Sequence, residues 1–240
     1  MPSARITILS PHFDDAVLSC WHLLDGSGEV DVVNVFTGVP PADAHDGWWD
    51  VASGAADSQT RMAERRAEDR AALAGARRAA IHLDLLDEQY RSEALSLDQV
   101  TERIAAVVDR SHVLYAPAAF SQGEDHALVR SAVRQLARRG WSACLYADFP
   151  HALRLGRPSS LNGSGPRTDA DAMWDERLRG ILVAPRPRVQ RLEPEALERK
   201  LDAVRAYGTQ IDMLEQWLGV ALDATTLDRE VVWELSDKGR

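Results

Sequence analysis

Short apolar runs, each followed by a polar turn and then by apolar residues at helical spacing, organise the first 150 positions of the chain. Residues 6–9, 30–36, 81–86, 113–117 and 143–147 read as strands, and the continuous apolar character of 113–117 is that of a strand buried on both faces. Between them, residues 14–24 turn Val17, Leu18 and Trp21 to one helical face, and residues 59–78 carry Met62, Leu73 and several alanines at the same spacing. Residues 97–110 repeat the pattern, and a further helix runs from His126 to near Gly140. Strand, loop and helix alternating in this order predict an α/β fold of Rossmann-like form. The expected architecture is a mainly parallel sheet with right-handed crossovers and helices on both faces, three layers in all.

Beyond Pro150 the pattern changes. Residues 157–171 are rich in Ser, Gly, Pro and Asn, which predicts a mobile excursion or lid, about 154–172, in place of a core element. Residues 181–185 and 189–192 read as short extended segments, 194–218 as one helix opened by Glu193, Pro194 and Glu195, and 231–235 as a terminal strand. No internal repeat and no second apolar core interrupt the series, so residues 1–240 are expected to form a single domain. The long polar and aromatic loop over 37–58 holds Pro40, Pro41, His45, Asp46, Trp48 and Trp49, and loops of that length inside compact domains are commonly functional.

A net charge of −9 and a pI near 5.3 argue against nucleic acid as a general partner. No apolar stretch approaches the length of a membrane span, and the run at 6–9 is too short for a secretory signal, so a soluble cytoplasmic protein is expected. Cys20 and Cys144 show no CxxC spacing and are expected to be buried, reduced thiols.

The chemistry concentrates where the first strand ends. In the run from Ile6 to Ser19, Pro11 stops the strand and His12, Asp14 and Asp15 crowd one strand-to-helix turn. Two adjacent buried carboxylates are costly without a cation, so a divalent metal held by His and one Asp, with the other Asp left unbound, accounts for them. They also fit the first turn of a helix as capping residues, and residue types alone do not decide between the two. Polar groups stand at other strand ends too: Asp87 after the third, Asp125 and His126 after the fourth. In a parallel sheet these ends share one crevice, which makes His12, Asp15 and His126 a candidate three-ligand zinc site with a position open for water. Asp14 beside it could take a proton from that water.

At this point the chain resembles the PIG-L, or LmbE-like, family of zinc-dependent N-deacetylases. The family's opening motif, Pro-His-Pro-Asp-Asp-Glu, stands here as Pro11-His12-Phe13-Asp14-Asp15-Ala16. Arg65-Arg66-Ala67-Glu68 is similar to its Arg-x-x-Glu helix, and residues 83–87 continue the order of motifs. Gln122-Gly123-Glu124-Asp125-His126 is similar to His-x-Asp-His, and Lys200 to Gln210 to a late Lys…His-x-Thr/Ser-Gln helix. The resemblance implies His12, Asp15 and His126 as ligands of Zn2+ and Asp14 as general base; Fe2+ or Co2+ suits His/Asp ligation too, and Asp125 is a candidate carboxylate in support of the ligands. The resemblance also implies Arg65 and Asp87 as substrate-binding groups. The implied activity is hydrolysis of an N-acyl group, acetyl above all, from an amino sugar or a glycosylated small molecule.

Three positions depart from the pattern. Phe13 replaces a proline, Ala16 a glutamate, and Gly123 the first histidine of His-x-Asp-His, which the family is credited with using to stabilise the oxyanion or protonate the leaving amine. His151 after the fifth strand and His45 in the tryptophan loop are candidates to replace it, and both also read as exposed loop residues. Trp48 and Trp49 are candidates for a floor under a sugar ring, or for packing the loop onto the domain. Arg65 and its charged neighbours also fit a solvated helix face, and Asp87 a strand-end turn. The Gly123 departure motivates a rival reading as a metal- or glycan-binding module without turnover. A nucleotide-binding oxidoreductase is disfavoured because no G-x-G-x-x-G follows the first strand.

Overall fold

The computed structural model describes residues 5–121, 123–162, 165–182 and 186–235. Gln122 of the second motif, Gly163 and Ser164 of the polar segment, and residues 183–185 of an expected strand lie outside these. Seven strands form one sheet: β1 (Ile6–Ser10), β2 (Val30–Asn34), β3 (Ala80–His82), β4 (Val113–Pro117), β5 (Ala143–Tyr146), β6 (Arg188–Arg191) and β7 (Arg229–Glu234). Their order is β3-β2-β1-β4-β5-β7-β6. The first five are parallel, Ile6 standing beside both Val30 and Val113, while β7 is antiparallel to β5 and to β6. The mainly parallel, Rossmann-like sheet expected from the sequence is therefore present. The last strand in sequence, β7, lies inside the sheet between β5 and β6.

Alternation along each strand divides the interior in two. Ile8, Val32, Tyr115 and Cys144 face one apolar cluster, and Leu9, Val33, Leu114 and Leu145 face the other. The helices are α1 (Asp15–Ser19), α2 (Trp21–Leu24), α3 (Trp48–Ala52), α4 (Ser58–Gly75), α5 (Leu97–Ala105), α6 (Glu124–Arg138), α7 (Asp169–Leu178), α8 (Pro194–Arg205), α9 (Ile211–Leu218) and α10 (Ala224–Leu227). The first cluster takes residues from α1 to α4 and α8 to α10, the second from α5 to α7, which gives the three layers. Cys20 and Cys144 are both buried and unbridged. Among the described residues no helix is long and apolar enough to cross a membrane.

Two helices expected to be continuous are broken by carboxylates reaching from elsewhere in the chain. The stretch 14–24 divides at Cys20, because Glu230 of β7 accepts the Trp21 and His22 backbone N–H groups at 2.7 and 2.8 Å and so starts α2 afresh. Glu230 is fully buried and also holds Lys200 Nζ at 2.6 Å. The stretch 194–218 divides between α8 and α9, where Glu68 of α4 accepts the Thr209 N–H and hydroxyl at 2.7 and 2.8 Å. Two residues earlier, the Tyr207 hydroxyl donates to the Phe13 carbonyl at 3.1 Å or to Asp69 at 3.0 Å, tying the α8–α9 junction to the turn after β1.

The segment read as an excursion has anchors that its composition conceals. Leu161 is buried in the second cluster, and Asp171 gathers the Ser159 and Thr168 N–H groups. The helix α7 that follows was not expected. It seats Trp174 against Phe120, Phe149 and Trp233.

Candidate metal centre and active-site cavity

The sheet order reverses between β1 and β4, the place where open α/β sheets leave a crevice beyond their C-terminal edge. A cleft there encloses about 900 Å³, its mouth included. Two side chains shape the turn that enters it. Ser10 Oγ donates to the His12 carbonyl at 2.6 Å and accepts the Ala16 N–H at 2.9 Å, while Asp15 Oδ2 accepts the His12 backbone N–H at 2.9 Å. Asp14 thereby occupies the N-cap position of α1, yet its carboxylate accepts no capping hydrogen bond. Helix capping is thus not what Asp14 does; its side chain is buried and lines the cleft.

Both histidines are held from behind by buried carboxylates. His12 Nε2 lies 3.1 Å from Asp125 Oδ2 and its Nδ1 lies 3.6 Å from Asp15 Oδ2. His126 Nδ1 lies 3.1 Å from Asp148 Oδ2 and its Nε2 lies 3.5 Å from Asp15 Oδ2. With one nitrogen donating to a carboxylate, each ring turns its other nitrogen toward Asp15. Tetrahedral ligand bonds of about 2.0–2.1 Å set donor atoms roughly 3.3 Å apart, and the two nitrogen-to-Asp15 separations approach that spacing. The donor chemistry therefore fits Zn2+, and Fe2+ or Co2+ as well.

His12 also groups with Asp87 and Asp125 closely enough to hold an ion. Asp125 is already engaged, by Arg91 Nη1 at 2.6 Å and the Glu88 N–H at 3.1 Å, so its place is to orient His12. Replacing the corresponding carboxylate behind His126, Asp148→Asn, is expected to lower zinc affinity about 10- to 100-fold, read by competition with a chelator.

Burial opposes a charge on His12 and His126, but the surrounding Asp125, Asp15 and Asp148 outweigh it and raise both above the usual imidazole value. A metal must displace those protons. Zinc uptake near pH 7 is accordingly expected to release protons, and affinity to fall as pH is lowered, both measurable by calorimetry in buffers of differing ionisation enthalpy. Burial and the adjacent Asp15 push Asp14 up to about 6. Burial and the neighbouring His126 push His151 down to about 4, so it is neutral at pH 7.

The other expected site residues are distributed unevenly. Arg65 lines the cleft, held by Asp50 at 2.6 Å, and Asp50 in turn accepts from Tyr90 Oη at 2.5 Å. Asp87 does two things: it accepts the Gln89 N–H at 3.0 Å as a turn former, and it lines the cleft 3.7 Å from His12 Nε2. Trp48 and Trp49 meet edge to face at the cleft, and Trp49 meets Trp217 of α9 in the same way. His151 packs between His126 and Trp217, with ring centroids 5.3 and 5.8 Å away. His45 is exposed and is not among the cleft residues, which separates it from the role considered for it. Gly123 caps α6, and a Cβ there would meet Glu88 at 3.4 Å, an ordinary contact, so the backbone does not demand glycine.

Asp148, Asp50 and Trp217 were not singled out from the sequence. Asp148 could have been, since it follows β5 at the same edge of the sheet as His12 and His126.

Residues 7–137 match the family model for GlcNAc-PI de-N-acetylase, PIG-L. The chain belongs to the PIG-L family. Solved structures similar to this PIG-L chain include the zinc-inhibited form of teicoplanin deacetylase Orf2, 22% identical with a TM-score of 0.73, covering 98% of this chain and 100% of that one. The A40926 pseudoaglycone deacetylase Dbv21 is 25% identical with a TM-score of 0.76, covering 99% of each chain. N,N'-diacetylchitobiose deacetylase from Pyrococcus horikoshii is more distant, at 13% identity and a TM-score of 0.53, covering 89% of this chain and 74% of that one. No curated protein sequence matches.

Proposed function

We propose that the chain is a metal-dependent N-deacetylase that hydrolyses the N-acetyl group of an amino sugar, free or carried on a glycosylated small molecule. The observation that carries this reading is the pair of carboxylate-held imidazoles converging on Asp15, with an uncommitted carboxylate, Asp14, beside them. Membership of the PIG-L family and similarity to deacetylases of teicoplanin, A40926 pseudoaglycone and diacetylchitobiose support it.

His12, Asp15 and His126 would hold the cation, which when bound polarises an acyl oxygen and lowers the pKa of water to about 7. Asp125 and Asp148 keep the two imidazoles in the tautomer that can bind it. Asp14 takes a proton from the attacking water and returns it to the amine nitrogen as the C–N bond breaks. His151, neutral at pH 7, is not a reservoir for that proton. Arg65, with Asp50 neutralising it, and Asp87 offer a donor and an acceptor to sugar hydroxyls. Trp48, Trp49 and Trp217 provide apolar ring faces at the mouth, where Trp48 is 54% and Trp217 42% exposed. The binding-only reading rests on Gly123 alone and leaves Asp14 without a purpose.

The test is release of acetate and free amine, followed together, from zinc-loaded protein given N-acetylglucosamine, its aryl glycosides and N-acetylated glycoconjugates. Stoichiometric release of both products is expected, faster from glycosides that reach the tryptophan rim. Turnover of O-acetyl esters with no amine from any amide would overturn the assignment.

A further inference from the structure

The resemblance puts a hydrogen-bond donor where Gly123 stands, and among the described residues the wall of the cleft holds three buried polar atoms with no partner: Arg65 Nε, Gln210 Nε2 and Ser121 Oγ. Arg65 is committed through its other nitrogens to Asp50 and Tyr90. Gln210 belongs to the junction between α8 and α9, a different wall from the one carrying His126. Ser121 stands apart from both. Its backbone N–H donates to Asp148 Oδ2 at 3.0 Å, the same oxygen that holds His126 Nδ1 at 3.1 Å, so one atom fixes Ser121 and a candidate metal ligand together. The Phe120 N–H, 2.8 Å from Asp148 Oδ1, completes that clamp. The residue is 9% exposed, lies two positions before Gly123 and lines the cleft, while its hydroxyl oxygen is itself buried and has no partner among the described residues. A buried hydroxyl without a partner is costly, and one carried in the wall of a ligand cleft is explained if a bound ligand supplies the acceptor.

We propose that the Ser121 hydroxyl is the donor that holds the oxyanion of the tetrahedral intermediate, in place of the side chain absent at Gly123. The inference rests on the deacetylase reading for its substrate. In the step concerned, the oxygen of water bonds to the acyl carbon, its proton goes to Asp14, and the C=O π pair moves onto the acyl oxygen. Ser121 donates a hydrogen bond to that oxygen and transfers no proton. The intermediate then collapses: the oxygen pair re-forms C=O, the C–N bond breaks, and Asp14 returns its proton to nitrogen, giving acetate and the amine. A preorganised neutral donor of this kind acts where charge develops, and loss of one such donor lowers kcat by about 10²–10³.

The experiment compares the zinc-loaded chain with Ser121→Ala and Ser121→Thr. Both keep the backbone N–H that Asp148 accepts, so His126 stays oriented and metal content should be unchanged. The probe is the methylphosphonamidate of glucosamine, whose tetrahedral phosphorus bears the oxygens the acyl carbon bears after attack. Ser121→Ala is expected to bind it about 10- to 100-fold more weakly, with binding largely restored in Ser121→Thr. For the best substrate kcat should fall with little change in KM. Equal binding of the probe by wild type and Ser121→Ala would overturn the proposal, and weakening by His151→Ala instead would move the donor to that imidazole. Ser121-dependent binding of the probe by a chain that turns over no amide would support the donor while overturning the deacetylase reading, so the two claims fail separately.

Discussion

Asp14→Asn is expected to lower amide hydrolysis by about 10²–10⁴-fold, the usual contribution of a positioned general base, while metal content stays the same. The substitution is nearly isosteric, and the Asp14 side chain caps no helix, so the loss cannot be ascribed to a disrupted turn. Stability should move the other way. Asp14 titrates at about 6 in the fold, above the ordinary carboxylate value of about 3.9, because burial and Asp15 disfavour its charge. Between those values the folded chain keeps a proton that the unfolded chain has lost; that advantage is complete below about 3.9 and is lost as pH rises through about 6. At pH 7 the ionised group is therefore a burden on the metal-free protein, and Asp14→Asn should leave its Tm unchanged or higher. A loss of turnover accompanied by a fall in Tm would mean that Asp14 serves the fold.

Lys200→Met is expected to destabilise the protein by about 3–5 kcal/mol, the effect of leaving one member of a buried pair without its partner. Lys200 and Glu230 have fully buried side chains 2.6 Å apart, and Glu230 also takes His22 Nδ1 at 2.5 Å and two backbone N–H groups at the start of α2. The double replacement Lys200→Met with Glu230→Gln should recover part of the loss, since Gln keeps an acceptor for α2 and removes the stranded charge. Burial works against ionised Glu230, but Lys200 and His22 outweigh it and hold the carboxyl down at about 2. Its stabilising contribution is thus present above the unfolded value of about 4.3 and is lost as pH falls toward about 2. Urea denaturation of the wild type and both variants, at neutral pH and across the acid range, measures each part.

The parallel half of the sheet and the candidate residues that meet at the cleft were legible because each depends on local pattern. Apolar runs fix strands, Pro11 ends one of them, and His12, Asp14 and Asp15 sit within a few residues of that end. What escaped depends on partners distant in sequence. Periodicity across Cys20 and across Gly208 is helical, and only Glu230 and Glu68, arriving from β7 and α4, divide those helices. Asp148 stands at a legible strand end, but that its oxygens hold His126, Phe120 and Ser121 depends on residues distant in sequence. Trp217 reads as one more apolar position on a helix until α9 is placed against His151 and Trp49. The Ser, Gly and Pro content over 157–171 masks Leu161 and the Asp171 contacts because composition records turns and not the single side chains that anchor them.

The proposed reaction requires His12, Asp15 and His126 to hold one divalent ion on which amide hydrolysis depends. The direct measurement is to strip the protein of metal, titrate zinc back, and follow bound metal and amine release in the same samples, with His126→Ala alongside. Turnover is expected to rise in proportion to bound zinc up to one ion per chain, and His126→Ala to show neither tight binding nor turnover. Amine release that persists in the stripped protein, or zinc bound in full by His126→Ala, would contradict it.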